Sequence, residues 1–244
     1  MQFRAETLVA DVATAHPATI RVFQERGIDF CCGGKRPLAE ACQVAGVPFD
    51  AFASELRAAL AEPAPPARDW RYEPLSHLTE YIIGHYHVPL HAELPRLEPM
   101  LDKVLSAHSA HHGAQLRALA DTFRPLRAEL SQHMMKEERI LFPFIDALST
   151  ARESGAAPPA PPFGTVAHPI RMMEYEHDGA GEALSRMREI TAGYAPPEDA
   201  CNTFRGMLHG LSELERELHE HIHLENNVLH PRAIALEQEL LVAG

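Results

Sequence analysis

The chain has 244 residues, and its hydrophobic fraction of 45% and charged fraction of 23% are typical of a globular protein. The 34 acidic and 22 basic residues give a formal net charge of -12, which argues against binding to nucleic acid. No apolar run approaches the roughly 20 residues that span a bilayer, and the acidic N-terminus does not resemble a signal peptide. The four cysteines are too few for a secreted disulfide framework in a chain of this size. We therefore expect a soluble, cytoplasmic protein that binds neither nucleic acid nor a membrane.

Three short helices are predicted at the start of the chain. A proline that suits the first helical position and a glycine that suits the end predict helices over residues 17–26 and 37–45. A third helix is expected over about 49–61, followed by a proline-rich segment with the composition of a semi-rigid linker. We therefore predict an N-terminal helical domain over residues 1–62 and a linker over 63–73.

The remainder, residues 74–244, is predicted to form a second and larger domain. Four segments in it carry apolar residues at helical spacing: roughly 74–107, 113–148, 167–193 and 197–240. The longest break is the Ala/Pro-rich stretch 154–164, which separates two helix pairs. Because the two-residue alternation of strands is missing, we predict an all-α protein whose main unit is an up-down four-helix bundle.

A metal-ligand pattern occurs twice in this region. His133 and Glu137 are four residues apart in the second long segment, and His221 and Glu225 occupy the corresponding positions in the fourth. On a helix such a pair is separated by about 40° around the axis and about 6 Å along it, so both side chains can bind one ion. In both segments leucines recur at helical spacing and form a stripe that should face the core, and both pairs occupy positions in this stripe. Since an unpaired buried carboxylate costs several kcal/mol and no Lys or Arg occupies either stripe, we predict a bound metal.

A weaker repeat adds one histidine from each of the other two helices. His87 and His177 stand in the middle of matching apolar stripes, whereas His85 and His91 have no histidine counterpart in the second copy. Imidazole and carboxylate ligands suit iron, manganese or zinc, but a closed zinc site needs only four. If both glutamates bridge two metals, there is room for a bridging oxide and an external ligand. The predicted ligands are His87, His133, Glu137, His177, His221 and Glu225.

The alternative is a set of surface histidines in a chain that contains 16 of them. One His-x-x-x-Glu pair by chance is unremarkable, and His219 and His223 form a four-residue pair that lies off the stripe. The shared register of the two copies favours the buried metal site.

Other candidate residues have two interpretations each. Glu176, which precedes His177, either faces the site and moves protons or is a solvated helix charge, and Glu138 is expected to be exposed. Cys31 and Cys32 are followed by two glycines, so we expect an exposed loop whose thiolates receive iron, exchange disulfides or bind a partner. The alternative is one buried and one idle thiol.

These features together resemble a known family. The motifs are similar to those of the RIC proteins, the di-iron family for repair of iron centres, and the similarity covers nearly the whole chain. The motifs are Asp29-Phe-Cys-Cys-Gly-Gly-Lys35, His133-Met-Met-Lys-Glu-Glu, Glu176-His-Asp178 and Leu224-Glu-Asn-Asn-Val-Leu229. The resemblance implies a hemerythrin-like bundle that holds two non-haem iron ions, oxo-bridged, on the six predicted ligands, with Glu137 and Glu225 bridging.

The resemblance also implies a function. We expect a protein that repairs iron–sulfur clusters damaged by nitric oxide or oxidative stress by supplying iron, with nitric oxide binding at the di-iron centre. The alternatives are a nitric oxide reductase, a protein that sequesters or senses nitric oxide or oxygen, and a metal-free structural bundle. The implied partners are a diatomic ligand, damaged iron–sulfur proteins and an electron donor, and a homodimer is compatible with the sequence.

Overall fold

A computed structural model of the chain describes residues 3–61, 68–158, 160 and 162–243. Within these ranges the secondary structure is helical, and the β-type pairing is an isolated bridge between Leu8 and Pro37. The predicted all-α class is therefore confirmed. Among the same residues, the helices are all too short or too polar to cross a bilayer. Residues 63–67 of the predicted linker lie outside the described residues.

The chain divides into two compact units. One contains Met1–Thr79, Ile145–Pro162 and His219–Gly244, and the other contains Glu80–Phe144 and Phe163–Leu218. The first unit thus combines the N-terminal residues with the C-terminal end of the chain. This division differs from the predicted domains, whose boundaries remain a prediction.

The N-terminal part of the first unit contains four short helices: α1 Val9–Ala15, α2 Ile20–Glu25, α3 Leu38–Val44 and α4 Phe49–Ala61. Their core includes three phenylalanines, with ring centroids 6.1 Å apart for Phe23 and Phe30 and 5.4 Å apart for Phe23 and Phe52. Three of these helices match the predictions within a few residues. Helix α1 was missed because no side chain caps its N-terminus.

Six more helices follow in the described residues: α5 Leu75–Ile82, α6 Val88–Lys136, α7 Phe142–Ser154, α8 Ala167–Ile190, α9 Asn202–Leu224 and α10 His230–Ala243. Three of their junctions are single π-helical turns instead of loops: Ile83–His87, Glu137–Leu141 and Glu225–Leu229. The chain therefore stays helical through these junctions, and each turn contains one or more predicted ligands. The predicted break at 154–164 corresponds to the connection between α7 and α8.

The backbone of α6 is helical from Val88 to Lys136, but its ion pairs show that the chain folds back on itself within this range. Arg124 lies 2.6 Å from Asp102 and also approaches Glu98, to which Arg127 is hydrogen-bonded. A straight helix would separate Glu98 and Arg127 by about 40 Å at 1.5 Å per residue. The chain therefore reverses near Gly113, where the sequence predicts the boundary between two helices. Within the second unit, α6 packs against α8.

Candidate metal centre

Three predicted ligands converge in the second unit. His133 and Glu137 lie at the end of α6 and the start of the next π-helical turn, and His177 lies on α8. His133 Nε2 is 3.2 Å from Glu137 Oε1 and 2.9 Å from His177 Nε2. All three side chains are buried, and their ligand atoms lie within 4.8 Å of one another. This is a donor set of two imidazoles and a carboxylate that one divalent ion can use.

A fourth predicted ligand approaches the other oxygen of the same carboxylate. His87 Nε2 lies 3.5 Å from Glu137 Oε2, and both side chains are fully buried. The ring of His87 is held by Phe142, which stacks on it at 5.6 Å between centroids. Glu137 therefore presents one oxygen towards His133 and the other towards His87. A carboxylate oriented in this way is suited to bridging two ions.

The first unit contains the second copy of the His-x-x-x-Glu pair. His221 lies in the last turn of α9 and Glu225 begins the π-helical turn Glu225–Leu229. His221 Nε2 is 2.9 Å from Glu225 Oε1, and the two side chains are 2% and 0% exposed. The structure thus buries both copies of the pair with the imidazole beside the carboxylate. The burial predicted from the apolar stripe is confirmed for both copies.

The π-helical turns explain the spacing of the stripe. In each copy two successive steps of four residues lead from His to Glu to Leu, and in an ideal α-helix they would rotate the stripe by about 80°. A π-helical turn contains an extra residue and reduces this drift. Leu141 and Leu229, which end the turns after Glu137 and Glu225, are accordingly buried. Two successive four-residue spacings, from His to Glu and from Glu to Leu, are the sequence signal that could have indicated these turns.

Carboxylates hold the outer nitrogens of two of the predicted ligand imidazoles. His87 Nδ1 lies 3.0 Å from Glu138 Oε1, which also lies 3.0 Å from His91 Nε2. Because the carboxylate accepts the proton of Nδ1, the lone pair of His87 Nε2 remains available for a metal. The expectation that Glu138 is a simple exposed charge was therefore wrong. Its side chain is 29% exposed and contacts His87, a predicted ligand.

Glu176 occupies the equivalent place beside another predicted ligand, His133. Its Oε2 lies 2.9 Å from His133 Nδ1, and its other oxygen accepts a hydrogen bond from Lys136. Burial alone would raise the pKa of Glu176, but the hydrogen bonds from Lys136 and His133 outweigh it and the pKa is lowered. Glu176 is therefore an ionised acceptor that orients the imidazole. Its side chain is 29% exposed, so it also links His133 to the surface.

Asp29 organises the cysteine loop, defined as residues 29–34. Its carboxylate accepts hydrogen bonds from the backbone nitrogens of Cys31 at 3.0 Å, Cys32 at 3.1 Å and Gly33 at 2.9 Å. A Cβ on Gly33 would lie only 2.9 Å from Asp29 Oδ2, so the tight turn requires glycine there. The sequence Asp-x-Cys-Cys-Gly is thus explained by one carboxylate that caps three consecutive amides.

The loop does not expose both thiols, contrary to the sequence-based expectation. Cys31 is buried, Cys32 is partly exposed, and their sulfurs are 3.9 Å apart. The neighbouring Cys32 thiol and burial raise the pKa of Cys31 well above its usual value. Cys31 is therefore a protonated thiol at neutral pH, and its S–H donates to Asp29 Oδ1 at 3.3 Å. Cys32 is the more accessible member of the pair.

Known proteins share both parts of this chain. Residues 78–233 match the hemerythrin HHE cation-binding domain family, and residues 5–60 match ScdA_N, described as a domain of unknown function. The iron–sulfur cluster repair protein YtfE of Pectobacterium carotovorum subsp. carotovorum is 41% identical over 235 residues, covering 96% of this chain and 99% of that protein. The YtfE protein of Yersinia pestis is 38% identical over 234 residues, covering 96% and 99%. The chain belongs to the YtfE family of iron–sulfur cluster repair proteins.

Membership of the YtfE family confirms the resemblance identified from the motifs. The hemerythrin HHE domain is a helical bundle, in agreement with the predicted fold class. The buried His and Glu cluster fits the cation that this domain binds, because imidazole and carboxylate donors in an apolar interior suit iron. The geometry and the family therefore agree on iron binding.

Two residues with clear contacts were missed by the sequence reasoning. Glu138 directly follows Glu137, just as Glu176 directly precedes His177. This position next to a predicted ligand was the sequence signal that could have indicated its contact with His87. His223, which lies off the ligand stripe, is buried and bonds to the backbone of Phe30. Its partner is far away in the sequence, so no local pattern indicated this contact.

Proposed function

We propose that six residues hold two non-haem iron ions, bridged by Glu137 and Glu225 and by an oxide. The observation that carries this proposal is the orientation of Glu137, whose two oxygens face two different histidines. The second copy of the pair supplies an equivalent carboxylate, Glu225, at the start of the π-helical turn that follows α9. The full set is His87, His133, Glu137, His177, His221 and Glu225.

The function that we infer is repair of damaged iron–sulfur clusters by supply of iron. The YtfE relatives carry this repair function in their names. When bound, the two irons supply exchangeable coordination and electrons for a diatomic ligand such as nitric oxide. In this proposal Glu138 and Glu176 hold the Nδ1 protons of His87 and His133, so that each Nε2 stays a ligand.

Glu176 also has a proposed role in proton movement. It is ionised and partly exposed, and it contacts both Lys136 and the Nδ1 of a buried ligand. It can therefore exchange the Nδ1 proton of His133 with solvent, which would tune how strongly Nε2 donates to a metal.

The cellular setting follows from the same proposal. We place the protein in the cytoplasm, where the reducing environment keeps its four cysteines as thiols, in a response to nitrosative or oxidative stress. Its partners would be nitric oxide, damaged iron–sulfur proteins and an electron donor, and assembly as a homodimer is compatible with this role.

The decisive test is iron transfer to a damaged cluster. Iron-loaded protein is mixed with an apo iron–sulfur protein, and the recovery of cluster absorbance is followed. We expect recovery with the wild type and loss of recovery in His87→Ala, whereas His85→Ala should behave as the wild type because His85 is exposed on the same turn. Recovery that does not depend on the bound iron would contradict the proposal.

Nitric oxide binding is tested on the diferrous protein. Addition of nitric oxide should change its absorption and electron paramagnetic resonance spectra, and unchanged spectra would remove nitric oxide from the proposal. A single-turnover assay for nitrous oxide then separates reversible binding from reduction.

A further inference from the structure

The cysteine loop is bound by two side chains of the segment that carries Glu225. His223 Nδ1 lies 3.1 Å from the carbonyl oxygen of Phe30. Asn227 Nδ2 lies 3.3 Å from the same oxygen and 3.1 Å from the carbonyl oxygen of Cys31. These two side chains stand two residues before and two residues after Glu225. The backbone of the cysteine pair is therefore tied to both sides of a proposed ligand.

The amide nitrogen of Asn227 is the donor to the loop, because a carbonyl oxygen can only accept. Asn227 Nδ2 also lies 3.0 Å from His223 Nδ1, and His223 donates to Phe30 in the tautomer that carries its proton on Nδ1. Burial lowers the pKa of His223 to about 4, so the imidazole is neutral at pH 7. Its Nε2 lies 3.5 Å from the hydroxyl oxygen of Thr14.

Close packing supports the same contact. The buried ring of Phe30 lies 5.5 Å from the imidazole of His223, between centroids. A Cβ on Gly34 would lie 2.9 Å from the carbonyl oxygen of Phe30 and 3.3 Å from Asn227 Oδ1. Helix α1 also packs against the π-helical turn Glu225–Leu229. The second glycine of the motif is thus required where the loop meets this turn.

We propose that His223 and Asn227 are positioning residues that hold the cysteine loop against the π-helical turn Glu225–Leu229, a contact called the seating of the loop. Through this contact, release of the loop is coupled to release of iron. Asn227 belongs to the same π-helical turn as Glu225, so displacement of the loop carbonyls removes contacts that hold this turn. The coupling is reciprocal, because a loop that stabilises the metal-bound turn is itself stabilised by the metal. The seating depends only on the contacts described above, whereas the coupling rests on the proposed iron site.

The seating is tested by the reactivity of the buried thiol. In Asn227→Ala, alkylation of Cys31 by iodoacetamide, measured by mass spectrometry, should be about five- to tenfold faster, the factor for loss of one ordinary hydrogen bond. Gln24→Ala is the matched control, because it removes a 3.3 Å hydrogen bond to Glu220 on α9 outside the loop. It should leave the rate unchanged. A wild-type rate for Cys31 in Asn227→Ala would overturn the seating.

The coupling is tested by the rate of iron loss to a ferrous chelator. Iron-loaded Asn227→Ala should lose iron about fivefold faster than the wild type, and Gln24→Ala should not. Faster alkylation with unchanged iron loss would overturn the coupling and leave the seating in place. Protein that binds no iron would contradict the proposed function, while the alkylation measurement would still decide the seating.

A measurement on the wild type covers the case in which Asn227→Ala does not fold. Backbone amides of residues 30–34 should exchange hydrogen faster after iron is removed by chelation than in the iron-loaded protein. Amides of residues 50–58 in α4, which lie away from the loop in the sequence, provide the internal control. Identical exchange of the loop in the two states would overturn the coupling.

Discussion

Replacement of Glu138 by alanine should weaken iron binding although Glu138 is not itself a proposed ligand. Its Oε1 accepts the Nδ1 proton of His87 at 3.0 Å, on the side of the ring opposite to the nitrogen that faces Glu137. Carboxylates that hold a ligand histidine in this way are worth about 10- to 100-fold in metal affinity. This factor corresponds to about 1.4 to 2.7 kcal/mol of binding free energy. Glu138→Ala should therefore raise the dissociation constant for iron by one to two orders of magnitude.

The structure supplies a matched control for this prediction. His91 shares the same oxygen of Glu138 at 3.0 Å but is largely exposed, and its removal leaves the bond to His87 intact. His91→Ala should therefore change the affinity by less than about threefold, as expected for an exposed ion pair. Glu138→Gln retains an oxygen acceptor and should lie between the two. Competitive titration against a ferrous chelator gives all three constants.

Two outcomes of this titration would refute the reasoning. If Glu138→Ala binds iron within twofold of the wild type, the carboxylate does not orient His87. If His91→Ala loses as much affinity as Glu138→Ala, the effect comes from the surface charge and not from the ligand. The melting temperature should be measured in parallel without iron, because a buried Nδ1 without a partner would itself cost about 1 to 3 kcal/mol of stability.

Three further predictions concern the cysteine loop and the metal. Gly34→Ala should cost about 1 to 3 kcal/mol of stability by overpacking, because the new Cβ would lie 2.8 Å from the Cβ of Ala10. Gly179→Ala is the control and should not destabilise the protein, because no heavy atom of a neighbouring group lies within 4 Å of the new Cβ. Chemical denaturation measures the stability of both variants. At pH 7 iodoacetamide should alkylate Cys32 before Cys31. Because the pKa of Cys31 is raised, its alkylation rate should increase only at pH values well above the usual pKa range of thiols. Equal rates for the two cysteines at pH 7 would contradict this prediction. Iron at 100 times its dissociation constant should stabilise the fold by about 2.7 kcal/mol, and an unchanged melting temperature after chelation would show that the site is not part of the folded state.

Periodicity was sufficient to predict much of the fold and the candidate ligands. The apolar stripes indicated the long helices and assigned His133, Glu137, His221 and Glu225 to core positions, where the structure buries them. The same approach selected His87 over its exposed neighbours. The predictions of helix and burial succeeded because they depend on local spacing, and helical geometry converts spacing directly into position.

Long-range contacts could not be predicted in this way. Helical periodicity shows which face His223 occupies, but its acceptor, the carbonyl of Phe30, is 193 residues away. The burial of Cys31 likewise depends on how the loop folds around Asp29. The π-helical turns were missed for another reason, because a template with 3.6 residues per turn has no place for the extra residue.

The central claim is that two carboxylates, one from each copy of the motif, hold two irons. The most direct test is iron analysis of protein purified from iron-replete cells, compared with a Glu137→Ala/Glu225→Ala variant and with a control that replaces the partly exposed Glu217 and the exposed Glu239 by alanine. We predict two irons per chain in the wild type and the control, and none in the Glu137→Ala/Glu225→Ala variant. A wild type that contains one iron, or zinc in its place, would contradict the proposed di-iron centre.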